Sequence, residues 1–563
     1  MTPPDGAGQP SLGQPNTGQD LLNTGKGLGR PTAYMAIGTL ASRLTGLIRL
    51  LVAADALGSN SLSDAFNLAN NTPNIVHDLV LGGVLSATFI PQFVSRLASK
   101  SRDEAIDSIS AVISASAVLL FAATVAFLFL APYVIDLYSY GQSGPAVLAE
   151  RAVATDLLRL FAFQLFAYGA ISLMSSVLNV IRRFVLVMFV PIINNAVAIA
   201  VLLEFRSVVH HQPSLASVQH DHAMLLWLGL GTTAGVVAQA AALVPAMVRS
   251  ELRLRLVWRP RDPAIREILS LSGWTLGFVI ANQVAVFVVL AIALHLGTGR
   301  VTDYSYAFQF FQLPYGIVAV SVMSAVVPEL ALRYKIGDLT EMSHQFGLGL
   351  RRMMAGILPS TVGYLLLAGP LVALLLEHGS FNPAGARRTA VSLAFLAVGL
   401  PGFCIYLLCI ATFQAMRDTR TAFFLYLLEN GLNIILAFIL AHIGGIGGLS
   451  LSFSLAYSLS AIVAMWVVRS RMGGLGGPAV AHYVGRSLLL SGVMAVVVAV
   501  ATVSLGSPTG SGLYVRVVGG VVAGAVAYGL AAGLAGTFAG WQTARRRQAV
   551  AGRESNGRDP GGD

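Results

Sequence analysis

Arg43 and Arg49 stand six residues apart in one apolar run, and Asp64, Asn74, His77 and Asp78 follow within the next thirty positions. A guanidinium presents a planar fork of donors that suits phosphate oxygens, and a low-dielectric setting strengthens the pairing. A charged side chain inside a membrane span costs roughly 2.5–3.5 kcal/mol on insertion scales, so it is expected to face a cavity or a partner. Six residues turn an α-helix so that the two arginine faces differ by roughly 120°; they need not point the same way, but both can border one wide cavity. Asn74 shares a helix face with His77 and with Asp78. The group points to anion binding. The competing reading makes the arginines structural partners of Asp55 or Asp64 and His77 a satisfied structural histidine.

Further along, Glu429 is a candidate to carry a proton or cation, or to sit in a structural pair. Asn194, Asn195, Asn282, Asn430 and Asn433 read as interhelical hydrogen-bonding groups. Arg159, one turn after Asp156, reads as its intrahelical partner. His210, His211, His220 and His222 read as a hydrated loop rather than a metal site, and no metal is expected. Cys404 and Cys409 are too few for a disulfide framework or a four-ligand zinc site and read as small buried hydrophobes.

These residues sit in a chain of 563 residues with 55% hydrophobic and only 11% charged residues. Its mean hydropathy is +0.72. An average soluble domain carries roughly 25% charged residues, so lipid must be the solvent for most of this chain. An ordinary soluble enzyme, a disordered protein and a fibrous protein are excluded on that ground. The net charge of +10 matters less than where the charges lie, and no nucleic-acid partner is expected.

Fourteen apolar runs approach or exceed the roughly 20 residues that span a bilayer. They are 34–57, 73–97, 105–138, 148–180, 184–204, 223–248, 266–296, 301–332, 346–376, 386–416, 420–441, 446–468, 482–506 and 513–540. The fold class is therefore an all-α polytopic membrane protein with about 14 transmembrane helices; the runs are far too long for barrel strands. Of the 36 basic residues, 27 fall in the tails and the even-numbered loops, 6 in the odd-numbered loops, and Arg43, Arg49 and Arg159 within spans. That bias predicts a multi-pass membrane protein with both termini cytoplasmic.

Segments repeat at a fixed offset. Arg182-Arg183 and Asn194-Asn195 precede Arg417-Asp418 and Glu429-Asn430 by 235 residues, and Pro91 precedes Pro328 by 237. An offset of six spans keeps both halves in one orientation, which predicts two six-helix lobes in parallel repeat plus two C-terminal helices. The expected layout is a disordered cytoplasmic tail (1–30), a first lobe (31–248), an amphipathic cytoplasmic linker on the membrane surface (249–266), a second lobe (267–472), spans 13–14 (473–540) and a second tail (541–563).

No phosphate-binding loop, zinc-hydrolase signature or nucleophile elbow appears. The chain reads as a transporter without covalent chemistry and without a cofactor.

Gly38-Thr-Leu-Ala-Ser-Arg43-Leu-Thr-Gly-Leu-Ile-Arg49 resembles the first helix of the MurJ/MviN family, within the larger exporter superfamily that includes drug exporters. Ser63-Asp64-Ala65-Phe66, Pro73-Asn74, Gly82-Gly83 and Pro91 resemble it at the family's spacing, as does Phe311-Gln312-Leu313-Pro314-Tyr315-Gly316 in span 8. The resemblance covers about 34–540. It implies a flippase for lipid II, the polyprenyl-pyrophosphate-linked disaccharide-pentapeptide precursor of peptidoglycan, with a groove for the lipid tail at spans 13–14. It also implies binding roles for Arg43, Arg49, Asp64 and Asn74. The family often has arginines where this chain has His77 and Asp78, and Asp, Arg and Glu where it has Phe308, Gln309 and Gln312. These departures remove positive charge, so Arg49, with Arg43 and His77, is expected to carry more of the neutralisation. Arginine outnumbers lysine 33 to 3, a bias of GC-rich genomes, and an actinobacterial origin would account for the variant motif.

The expectation is thus flipping from the inner to the outer leaflet by alternating access between the lobes, coupled to membrane potential or a monovalent ion. Membrane lipids and cell-wall synthesis proteins are expected partners. The competing expectations are export of another lipid-linked glycan, a cation-coupled drug antiporter, and a non-transporting cell-wall scaffold. An antiporter should bury acids for cation coupling, whereas the strongest cluster here is basic.

Overall fold

In hydrocarbon every backbone N–H and C=O must be paired within the chain, and uninterrupted apolar runs meet that demand as α-helices. The computed structural model describes residues 29–82 and 102–556, apart from 182, 210–212, 251–254, 256, 260–261, 263–272, 476 and 507–509. Among the described residues the elements are helices. In the first lobe they are α1 (Gly29–Leu57), α2 (Ser61–His77), α3 (Arg102–Tyr138), α4 (Pro145–Val180), α5 (Phe184–Phe189), α6 (Pro191–Val208), α7 (Leu215–His220) and α8 (His222–Val248). In the second lobe they are α9 (Gly273–His295), α10 (Arg300–Pro314), α11 (Val320–Lys335), α12 (Leu339–Leu376), α13 (Pro383–Val398), α14 (Leu400–Ala415) and α15 (Thr419–Met472). α16 (Gly477–Ser504) and α17 (Ser511–Asn556) follow.

Eleven helices are long and apolar enough to cross a membrane, or twelve when α13 and α14, bent by 50°, count as one span. The sequence reading of fourteen is not matched outright, for two reasons. Spans 11 and 12 run as the single element α15, broken at Gly445, whose φ of 55° and ψ of −136° no helix contains. Span 2 begins as α2 and continues into residues 83–101, outside the described set. Residues 1–28 of the expected tail, Pro91 and most of the linker also lie outside it, while Gly29 and Arg30, expected in the tail, open α1. Where the linker is described it is not helical: the Arg255 and Val257 backbone N–H groups donate to Ser110 and Ser114 on α3 at 3.1 and 3.0 Å. The polar C-terminal stretch expected beyond 540 continues α17 to Asn556.

Packing repeats between the halves. α4 lies against α2, α3 and α8; in the second lobe the bent α13–α14 pair lies against α10, α12 and α15. α6 packs on α1 as α15 packs on α9. Two π-helical turns mark the same place in each half, Asp78–Gly82 directly after α2 and Tyr315–Ala319 directly after α10, at an offset of 237. α16 and α17 pack on each other and on α12, outside the duplication.

The lobes are tied at the side of the odd-numbered loops. Ser380 N–H donates to the Asp55 carbonyl at 3.0 Å. Gly58 takes φ +73°, and a Cβ there would collide with the Ser380 carbonyl. The His295 ring at the end of α9 sits 2.9 Å from the Tyr140 carbonyl beyond α3, and Gln142 Nε2 donates to the Leu294 carbonyl at 3.4 Å.

Candidate anion-binding site between the lobes

α2 opens with a capping box: Asn60 accepts from Leu62 and Ser63 N–H, and the Ser63 hydroxyl reaches back to Asn60 N–H. This fixes the first turn and aims Asp64, fully buried, out of its own lobe. The Asp64 carboxylate accepts from Gly299 N–H at 2.5 Å and from Thr302 N–H and hydroxyl at 2.9 and 2.8 Å. It therefore caps α10 of the second lobe, where the orphan N–H groups and the helix dipole favour an anion. The resemblance pointed to Asp64 as a binding residue; its carboxylate is engaged at the seam between lobes.

Asp303 holds the matching place in the second lobe. It accepts from the Ser59 hydroxyl at 2.7 Å and pairs with Arg388 Nε at 2.5 Å. Asn67 Nδ2 donates to the Thr302 hydroxyl at 3.1 Å. Sequence reasoning missed Ser59, Thr302, Asp303 and Arg388. A signal was present: Thr302-Asp303 repeats Ser63-Asp64 at an offset of 239.

Beneath this seam lie the arginines. Asn195 on α6 donates to the Ser42 carbonyl at 3.2 Å and the Thr45 hydroxyl at 2.9 Å, which anchors the turn of α1 between Arg43 and Arg49. Arg49 lies within electrostatic range of the hydroxyls of Tyr168, from the first lobe, and Tyr306, from the second. It is eight residues inside the end of α1, about 12 Å along the axis. Arg43 lies a further six residues in and rests on Gly316, where a Cβ would come within 3.3 Å of its guanidinium carbon. Among the described residues neither arginine has a carboxylate within ion-pair distance. The alternative partners are engaged elsewhere: Asp55 pairs with Arg206 at 3.5 Å, and Asp64 caps α10.

Asn74 and His77 join the Arg49 group through Tyr168. The Asn74 amide bonds the Asn70 carbonyl at 3.3 Å and lies beside the Tyr168 hydroxyl. The His77 ring is 6.1 Å from the Tyr168 ring. Its Nδ1 is 3.1 Å from Asp78 Oδ1 and its Nε2 is 3.1 Å from the Ser172 hydroxyl. Asp78 Oδ2 accepts from Gln283 Nε2 of α9 at 2.8 Å, a further link across the lobes. Tyr168, Ser172, Gln283 and Tyr306 were not expected, since no pattern in one sequence pairs them with α1 and α2.

Gln309 is exposed and Gln312 half-buried on α10, which packs on α2 across the interface. Glu429 and Asn430 are not brought to the arginines. They are buried inside the second lobe among Tyr304, Tyr406, Tyr426 and Tyr457. Neither Glu429 oxygen meets hydrogen-bond geometry, although the Tyr457 hydroxyl faces it; Asn430 donates to the Tyr426 carbonyl at 2.8 Å. Arg159 pairs with Asp156 at 3.3 Å, and both cysteines are buried and free. Among the described residues no cluster of three or more His, Cys, Asp or Glu is arranged to hold a metal.

Chemically, then, two helical lobes close over one side of a space that offers guanidinium, imidazole and amide donors. A family model described as "Lipid II flippase MurJ" matches residues 53–518. A "Probable lipid II flippase MurJ" of Vibrio cholerae is 24% identical over 428 residues, covering 75% of this chain and 79% of that protein. One of Rhizobium meliloti is 28% identical over 407 residues, covering 71% and 72%. A solved structure titled "Lipid II flippase MurJ, inward closed conformation" superposes with a TM-score of 0.72 at 20% identity, covering 89% of this chain and 98% of that one. The paired lobes, the apolar spans and a match over most of the length agree: this membrane-spanning chain belongs to the lipid II flippase MurJ family.

Proposed function

We propose that this protein flips lipid II from the inner to the outer leaflet of the bacterial cytoplasmic membrane by alternating access between its two lobes. The observation that carries the reading is Arg49, a guanidinium two turns inside the end of α1, within electrostatic range of a tyrosine from each lobe and free of any carboxylate at ion-pair distance among the described residues. A diphosphate supplies the missing counter-charge, and an arginine fork grips its oxygens bidentately. Arg43, Asn74, His77, Gln309 and Gln312 extend the donor surface along the same interface.

The direction follows from the placement of the ties. With both termini cytoplasmic, the odd-numbered loops lie outside, so the Asp64 and Asp303 contacts seal the outer face and the cargo enters from within. Rocking of the lobes breaks that seal and opens the site outward. An inside-negative potential favours outward movement of anionic charge by roughly 2.3 kcal/mol per charge per 100 mV. Potential or a monovalent ion drives the cycle, either by moving the cargo or by resetting the empty carrier. The polyprenyl tail stays in lipid along α16 and α17. No covalent step is needed, which makes the chain a transporter rather than an enzyme.

Depleting the protein in its native host, with outer-leaflet and total lipid II measured in the same cells, tests the reading. Outer exposure is expected to fall while total lipid II rises. Unchanged exposure with loss of another surface glycan would keep the architecture and replace the cargo.

A further inference from the structure

Asp78 places a negative charge inside a site otherwise built for an anion. It is the first residue of the π turn that ends α2. It lies fourteen residues beyond the Asp64 seal, about 21 Å along the helix axis. Its side chain is 48% exposed while that of His77 is 15% exposed. Each of its oxygens is committed to a donor from a different lobe, Oδ1 to His77 Nδ1 at 3.1 Å and Oδ2 to Gln283 Nε2 at 2.8 Å. A phosphate oxygen accepts from the same kinds of group that a carboxylate oxygen does.

We propose that Asp78 is a built-in competing anion, which occupies His77 and Gln283 in the empty carrier and weakens the hold on a diphosphate cargo. The inference rests on the diphosphate reading above. The surroundings favour it on three counts. Asn74 and the His77 ring both border Tyr168, which lies within electrostatic range of Arg49, so an anion held there by Arg49 and Asn74 has the Asp78 charge as its neighbour. Asp78 is open enough to swing aside, whereas Asp64 and Asp303, which hold the seam, are enclosed. The bridge it makes crosses the lobes, so an anion that displaces Asp78 from His77 also disturbs the tie to α9. The arrival of cargo is thereby felt in the second lobe. Release benefits too, because a carrier that binds a multiply charged head only through cations holds it too long to discharge it.

The test uses the full-length purified protein and two soluble probes, farnesyl diphosphate and farnesyl monophosphate, titrated at low and high salt. Asp78→Asn keeps the shape and one acceptor oxygen but removes the charge. It is expected to bind farnesyl diphosphate at least about fivefold more tightly at low ionic strength. The gain should be smaller for the monophosphate, because repulsion scales with ligand charge, and smaller again in high salt. Asp78→Ser is read in the same way should the asparagine variant not yield folded protein. Equal or weaker binding by a folded Asp78 variant overturns the inference, provided the unmodified protein binds the diphosphate and Arg49→Ala loses it. Failure of the unmodified, folded protein to bind the diphosphate at all overturns the cargo reading, and the inference falls with it.

Discussion

Asp64 and Asp303 form a crossed pair. Each lies in the first turn of its own helix, and each takes hydrogen bonds from the segment that opens the other's, Gly299 and Thr302 for Asp64 and Ser59 for Asp303. A duplicated chain reaches this arrangement when one capping carboxylate is exchanged between repeats. Among the described residues Asp303 has an ion-pair partner, Arg388, and Asp64 has none, so the pair is symmetric in position but not in charge.

Asp64→Ala removes the cap on α10 and leaves its first N–H groups without an acceptor. Loss of a helix cap costs about 1–2 kcal/mol, which raises the population with the odd-loop side open by about tenfold. Spin labels at Ser143 and Thr298, both exposed on that side and one in each lobe, report it. A longer distance should appear in the variant, and an unchanged distance distribution would show that Asp64 does not hold the seam.

Arg388→Met strands the Asp303 carboxylate, which is fully buried. Breaking a buried pair from one side costs about 3–5 kcal/mol, and the remaining exposure of Arg388 places the effect near the lower figure. Asp303→Asn added to Arg388→Met should restore part of the lost melting temperature. A double variant less stable than Arg388→Met alone would contradict the pairing.

Arg49→Ala is expected to abolish lipid II exposure without lowering the amount of protein in the membrane, and Arg49→Lys to recover it only in part, since an ammonium cannot bind two oxygens through a planar fork. Complementation of a depleted strain, scored beside a membrane blot, checks both. Normal growth on Arg49→Ala alone would be incompatible with the proposed site.

His295 has a carbonyl oxygen at each ring nitrogen, Ala291 at 2.7 Å and Tyr140 at 2.9 Å. The ring tautomer with N–H at Nε2 donates to the Tyr140 carbonyl and ties α9 to the loop after α3. His295→Phe keeps a ring there and removes that donor. The open population at the Ser143 and Thr298 labels should therefore be larger in His295→Phe than in the unmodified protein. An unchanged distance distribution in that variant would show that His295 does not hold this tie.

Gly58→Ala forces a left-handed backbone on a residue with a Cβ and drives that atom into the Ser380 carbonyl. A lower melting temperature and a looser seam are expected together. A stable variant with an unchanged label distance would mean that the 376–386 connection can move aside.

The apolar runs were legible because their physics is one-dimensional: length and hydropathy decide whether a segment crosses. The break at Gly445 was placed between two runs, but the helical order that carries across it was not legible, because a glycine in a helical run looks the same whether the chain turns away or continues. Arg43 and Arg49 were legible because charge is conspicuous in an apolar run. Asp64 was legible as a residue but not in its role, since a carboxylate that caps a helix in the other lobe and one that meets a ligand have the same local sequence. Asp303 and Arg388 are 85 residues apart, and nothing in either neighbourhood names the other. Gln283 and Tyr168 belong to helices whose faces are set only when the lobes pack.

The two π turns at Asp78–Gly82 and Tyr315–Ala319 have a consequence for how these spans are aimed. A π turn holds an extra residue within the helical ladder, so the side chains beyond it are set on a different bearing from those before it. A single heptad wheel drawn through span 8 would therefore be out of phase beyond Ala319. α10 points its acid at the neighbouring lobe, while α11 is free to keep its own heading. The gene duplication copied a joint as well as a helix, and each half carries one residue of slack at the same depth.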